Sequence, residues 1–271
     1  RGFPSAAGRL PGRPPLVLVL DLDETLIRVS CEGVHQNRDL HTVDFHVPVD
    51  VGTPPTHLTF NCAVATRPGL ESFLEWIQER RSAGLIEGPW IYTTATPSFS
   101  KAILKKLDPG GRIFGMRVLT RSFCKTVRMP GIFLKDLNRV PSSCQRAGAD
   151  PRRKVLIDNS PISCVVNPDC SVLVRDWLGN DPADDELSRV RSLIDTMIHS
   201  EHSPPVEDPA DYASRLAQLV PGHATFRDRL QDLGAQLSAA PPGEAKHLRV
   251  ALKAISAECH AIKEGLLGGA P

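Results

Sequence analysis

The sequence predicts an α/β domain built on a parallel sheet. Short apolar runs that read as buried strands recur along the chain, with helical periodicity following them. The run Leu16-Val-Leu-Val-Leu20 is apolar at every position, as suits a central strand covered on both faces. Strands and helices in alternation imply helices flanking a parallel sheet.

After Leu16–Leu20, the next predicted strand is Trp90-Ile-Tyr-Thr-Thr94, and Val155–Ile157 and Ser171–Val174 complete the set. Among the helices, Pro68 suits a first helical position. Leu70, Phe73, Leu74 and Ile77 then share one apolar face. Phe99, Ile103 and Leu107 mark a second helix. Asp181 as N-cap and Pro182 open a third, with Leu187, Val190, Ile194 and Met197 inward. These elements define a domain over residues 16–199. Within 28–66, Val43–Val49 and Leu58–Val64 predict a small antiparallel hairpin inserted after the first strand.

Residues 200–207 read as a linker, and 208–271 as a helical C-terminal extension starting at Asp208-Pro209. Its apolar stripes are Tyr212, Leu216, Leu219 and Val220; then Phe226, Leu230, Leu233 and Leu237; then Leu248, Leu252, Ile255, Cys259 and Ile262. Stripes this narrow bury little alone, so the extension must dock. It is either a cover on the α/β body or a module for a protein partner. Residues 1–15 are basic and rich in Pro and Gly, with three Arg and no acid. They read as the stub of an organelle presequence or as a flexible linker.

The 271 residues carry 32 basic and 31 acidic side chains, with 41% hydrophobic and 23% charged residues. That balance excludes a disordered chain and argues against bulk attraction to nucleic acid or membrane. The apolar runs are too short to span a bilayer, so a soluble protein is expected. The seven cysteines contain no C-x-x-C pair, which signals neither a disulfide framework nor a zinc ribbon. A reducing compartment follows as the expectation: cytosol, nucleus or mitochondrial matrix.

The chemistry-bearing residues lie at the predicted strand ends. The first strand runs into Asp21-Leu-Asp23-Glu-Thr25, and ligands of open α/β sheets bind at the carboxyl ends of strands. One such carboxylate can act as a nucleophile toward phosphorus, and its neighbour as acid and then base. Carboxylates this close also suit Mg²⁺, which needs few protein ligands. Thr93 and Thr94 offer hydroxyl and N–H groups, Asp158 and Asn159 offer oxygens to a cation, and Lys135 offers a positive charge for a phosphoryl group.

The series DLDETL, TTA, Lys135 and Asp158-Asn-Ser-Pro161 resembles that of haloacid-dehalogenase-type phosphatases of the FCP/SCP branch. That branch includes polymerase-tail phosphatases, Dullard-type phosphatases and the mitochondrial presequence-translocase receptor. The resemblance runs from about Leu16 to Ile198, supported by Arg67-Pro68-Gly-Leu-Glu-Ser-Phe-Leu74 and FLKDL at 133–137. It implies a HAD-like, Rossmannoid sheet and a Mg²⁺-dependent serine/threonine phosphoprotein phosphatase working through an aspartyl-phosphate. By that resemblance Asp21 is the nucleophile and Asp23 the acid/base, while Thr93 and Lys135 hold the phosphoryl group. Mg²⁺ would sit on Asp21, the Asp23 carbonyl and Asn159, with Asp158 beside it. Thr25, Thr94, Arg121 and Phe99 would contact substrate.

Branch members acting on the polymerase tail place an aromatic residue near the position of Cys31 in this chain; its second pocket aromatic corresponds to Phe99. The stretch from Thr94 to Lys135 is too short for a large cap, and an open site suits a phosphorylated protein. His35, His41, His46 and His57 match no metal-ligand spacing, and Trp76, Trp90 and Trp177 read as core. The competing expectation is a structural subunit of a large complex, mitochondrial in its best version, that uses this fold for assembly.

Overall fold

A computed structural model describes residues 15–31, 40–51, 58–142, 151–199, 211–239 and 245–267. The expected 200–207 linker, His35 and His57 lie outside these residues, as does all of the N-terminal segment but Pro15. The strands are β1 (Leu16–Leu20), β2 (Ile27–Cys31), β3 (Phe45–Val51), β4 (Leu58–Thr66), β5 (Ile86–Tyr92), β6 (Val118–Leu119), β7 (Lys125–Thr126), β8 (Phe133–Leu134), β9 (Lys154–Asp158) and β10 (Ser171–Leu173). The α-helices are α1 (Leu70–Ser82), α2 (Pro97–Leu107), α3 (Pro161–Cys164), α4 (Glu186–Ile198), α5 (Tyr212–Leu219), α6 (His223–Ala239) and α7 (Ala245–Leu267).

Among the described residues the main sheet is parallel, with order β10-β9-β1-β5-β6. The chain runs outward from β1 to β5 and β6, then returns to the other side of β1 for β9 and β10. The reversal falls between β1 and β9, where open α/β sheets form their ligand crevice. β1 is fully buried, and its alternate residues face opposite layers. Leu16, Leu18 and Leu20 pack with Phe73, Ile77, Val190 and Ile194 of α1 and α4. Val17 and Val19 pack with Phe226, Leu230, Leu233, Ile255 and Ile262 of α6 and α7. The C-terminal helices therefore cover one face of the sheet. Each apolar side chain so buried contributes about 1.5–3 kcal/mol of transfer free energy. The stripe on α7 is narrower than its sequence period implies, because Leu252 is exposed.

Four predicted features differ. The insert is a three-stranded antiparallel sheet, β2-β4-β3, rather than a hairpin, because Ile27–Cys31 pairs with Thr66–Cys62. That register sets Cys31 opposite Cys62, and the two form a disulfide with Cα atoms 4.1 Å apart. The pair corrects the expectation that the cysteine spacing signals no disulfide, because these two cysteines meet only through strand register. The helix expected at Asp181-Pro182 starts instead at Glu186. Asp181 closes a turn by accepting from the Ala183 N–H at 3.0 Å. Asp184 is meanwhile held outside the helix by the buried guanidinium of Arg67, through two bonds of 2.7 Å. Likewise α1 begins at Leu70, because Gly69 caps it in a left-handed conformation (φ 76°).

Candidate active site

Asp21 is the first residue beyond β1, and its N–H donates to the Ile157 carbonyl at 2.9 Å. The pairing of β1 with β9 thus extends into the site. Glu24 then adopts φ 62°, its N–H bonding to the Ile27 carbonyl at 2.7 Å, and the chain turns back into β2. Lys135 follows β8 on a segment fixed from several sides. The Lys154 ammonium, fully buried, donates to the carbonyls of Leu137 and Val140 at 2.7 and 2.8 Å. Asn167 Oδ1 accepts from the Leu137 N–H at 2.8 Å, and the Tyr92 hydroxyl accepts from the Asp136 N–H at 3.2 Å.

The Lys135 Nζ donates to Asp21 Oδ1 and, at 2.5 Å, to Asp158 Oδ2. All three side chains are buried. Burial alone would depress the Lys135 ammonium, but Asp158 and Asp21 outweigh it and hold the lysine well above its usual range. Asp21 shares that cation with Asp158, so burial prevails and pushes its carboxyl up to about 7. Burial likewise pushes Asp23 up to about 6, against the attraction of Lys135. Both values lie above the ordinary 3.8, so the folded chain holds more protons than the unfolded one between pH 4 and 7. In metal-free buffer these groups should therefore lower the melting temperature as pH rises through that window. Asp21→Asn should flatten the upper part of the slope.

Asp21, Asp23, Glu24, Thr94, Lys135, Asp158 and Asn159 line one cavity of about 310 Å³, with Ile132, Phe133 and Ile162 as an apolar wall. Thr93 sits behind this surface: its Oγ1 accepts from the Ala95 N–H at 3.0 Å and reaches Asp23 Oδ2 at 3.5 Å. Three expected substrate contacts do not line the cavity. Thr25 is fully buried beneath it, its hydroxyl donating to Asn159 Oδ1 at 3.2 Å. Arg121 stands at the rim, bonded to the Thr94 carbonyl at 2.6 Å with its guanidinium 5.0 Å from the Phe133 ring centre. Phe99 is half-buried on α2 and packs against the main core, because α2 lies on β3 of the insert.

Sequence reasoning passed over Glu24, Asp176 and Lys263. Asp176 Oδ1 accepts from Asn159 Nδ2 at 2.7 Å and from Lys263 Nζ on α7 at 2.6 Å. Its place three residues beyond β10, at the carboxyl edge of the sheet, was the available signal for Asp176.

The acidic groups here suit a hard divalent cation. Asp21, Asp23, Asp158 and Glu24 meet the cavity, whereas Lys135 is the cation among its lining residues. Among the described residues no three Asp, Glu, His or Cys side chains gather closely enough to cage an ion. A cation held by few carboxylates, an amide oxygen and water matches the habits of Mg²⁺.

The family model for NLI interacting factor-like phosphatases matches residues 16–206. A probable C-terminal domain small phosphatase of Dictyostelium discoideum is 30% identical over 203 residues, covering 72% of this chain and 57% of the relative. The mouse carboxy-terminal domain RNA polymerase II polypeptide A small phosphatase 2 is 34% identical over 173 residues, covering 64% and 53%. The chain thus spans just over half the length of these relatives. A solved fission yeast RNA polymerase II CTD phosphatase aligns with 90% of this chain and 62% of its own, at 20% identity and a TM-score of 0.40. With a match that starts at β1 and runs past α4, taking in every segment that lines the cavity, the chain belongs to the NLI interacting factor-like phosphatase family.

Proposed function

We propose that this chain is a Mg²⁺-dependent phosphatase acting on phosphoserine or phosphothreonine in protein segments, through an aspartyl-phosphate on Asp21. The observation that carries the reading is the buried Lys135 ammonium bridging Asp21 and Asp158 at the crevice of the sheet. Family membership supports it, as do relatives whose names call them phosphatases. Residues 16–199 form the catalytic domain on this reading, and 208–271 its helical extension.

A carboxylate oxygen of Asp21 attacks phosphorus, and the bond to the serine or threonine oxygen breaks. Asp23, neutral in part because burial raises its carboxyl to about 6, gives that oxygen its proton. Asp23 then takes a proton from water, which attacks the aspartyl-phosphate, frees inorganic phosphate and restores Asp21. Lys135 offsets charge on the transferring group, and Thr94 faces it from the cavity wall. Thr93, through its contact with Asp23, orients the acid/base carboxylate. Asp21, the Asp23 carbonyl and the Asn159 amide oxygen would hold Mg²⁺, with Asp158 beside them. When bound, the ion supplies Lewis-acid stabilisation of phosphoryl oxygens. The apolar wall of Ile132, Phe133 and Ile162 suits residues flanking a phosphorylated side chain.

The test is release of inorganic phosphate from p-nitrophenyl phosphate and from a phosphoserine peptide, with Mg²⁺ and with excess chelator. Turnover of both that requires the metal supports the reading. No turnover by the folded, Mg²⁺-loaded chain would overturn it in favour of an assembly role.

A further inference from the structure

Granted the cation site proposed above, we infer that Asp176 and Lys263 are positioning residues for its Asn159 ligand, which makes the C-terminal helix α7 a working part of the metal site. Asn159 is nearly buried, and its amide can be oriented in one way only. Its Nδ2 lies 2.7 Å from Asp176 Oδ1 and 3.4 Å from Glu24 Oε2. A carboxylate oxygen accepts and never donates, so the NH₂ end of the amide must face these two acids. The Oδ1 end then receives the Thr25 hydroxyl at 3.2 Å and keeps a second lone pair for a cation. Swapping the two ends would set oxygen against carboxylate oxygen.

Asp176 is itself held. Lys263 Nζ binds the same Oδ1 at 2.6 Å, so one oxygen carries both the Asn159 amide and a lysine from α7. The lysine and the aspartate are 24% and 33% exposed, which leaves the pair partly screened and modest as a source of stability. What it supplies is orientation: the ammonium draws Asp176 to one place, and that place sets the amide. Lys263 lies outside the stretch that the family model matches, residues 16–206. This chain therefore brings to a shared site a support from its own extension. α7 is fixed for the task by Arg229 of α6, which bonds the Ala261 carbonyl at 2.8 Å and pairs with Glu258 at 2.9 Å.

The experiment measures the Mg²⁺ dissociation constant of the full chain, without substrate, from the rise in melting temperature with metal concentration. Asn159→Ala, Lys263→Met, Lys263→Arg, Asp176→Ala and the Asp176→Ala/Lys263→Met double variant are compared with wild type. Groups that orient a metal ligand typically change affinity about 10–100-fold, so Lys263→Met and Asp176→Ala should weaken binding about tenfold or more. Lys263→Arg should restore it, and the double variant should bind no worse than Asp176→Ala, because both act through one oxygen. A merely structural lysine would lower the metal-free melting temperature and leave the Mg²⁺ affinity unchanged; that result overturns the proposal while Asn159→Ala still weakens binding. If wild type and Asn159→Ala respond alike to Mg²⁺, the cation site itself is refuted, and the proposal with it.

Discussion

Asp21→Asn is expected to reduce hydrolysis of p-nitrophenyl phosphate on the order of 10⁴-fold or more while leaving the fold intact. The amide matches the carboxylate in shape and can still accept from the Lys135 ammonium, so the packing at the end of β1 persists. What disappears is the charged oxygen that forms the bond to phosphorus. The folded state should not suffer, because burial already disfavours the Asp21 carboxylate. Steady-state kinetics at saturating Mg²⁺, run beside thermal melting at pH 7, reads both effects. A variant that melts normally and keeps more than about a tenth of the activity would remove Asp21 from the nucleophile's role.

Lys135→Met should combine the second-largest loss of rate with the largest loss of stability. The ammonium serves two buried carboxylates, and its removal leaves Asp21 and Asp158 facing each other without a cation. Breaking a buried ion pair from one side costs about 3–5 kcal/mol. The loss of a preorganised charge at the transferring group lowers kcat by about 10²–10³-fold. Urea unfolding at several pH values separates this from simple loss of packing. The deficit should be greatest near neutral pH and shrink on acidification, which neutralises the stranded Asp21, a carboxyl that burial already pushes up. A deficit independent of pH would mean that the lysine acts through its hydrocarbon stem.

Most strands of the main sheet were legible because β1, β9 and β10 each hold an apolar run, and apolar runs survive reading without tertiary context. β5 was read as Trp90–Thr94 but spans Ile86–Tyr92, because Glu87, Gly88 and Pro89 hide its first half. β6 has two residues, Val118 and Leu119, and no period can be read from two. The third strand of the insert and the disulfide share one cause: both depend on the register of β2 against β4, which lies in the pairing rather than in either strand. The start of α4 misled because Asp181-Pro182 satisfies a helix N-terminus locally, while Arg67, far away in sequence, captures Asp184. Asp21, Asp23, Thr94, Lys135, Asp158 and Asn159, which meet in one cavity, follow a motif order that the resemblance supplied. Thr25 and Phe99 belong to the same pattern but point into the body, since burial is decided by packing. The link from Lys263 to Asp176 became visible only once α7 had docked.

The position of β1 in the sheet also shapes how the chain is made. It is the first strand of the sheet in sequence and the middle one in space, flanked by β5 and β9. During synthesis from the N-terminus, Val17 finds its β5 partner Glu87 early but waits for Lys154 before its other edge is paired. Until then the growing chain carries an uncovered edge of five consecutive aliphatic residues, the kind of template that recruits other strands. The helices that shield Val17 and Val19 are later still, since α6 and α7 follow β9 and β10 in sequence. Completion of the crevice and shielding of β1 thus wait for β9, α6 and α7, and a chaperone holding the nascent chain in that interval would have β1 as a client segment.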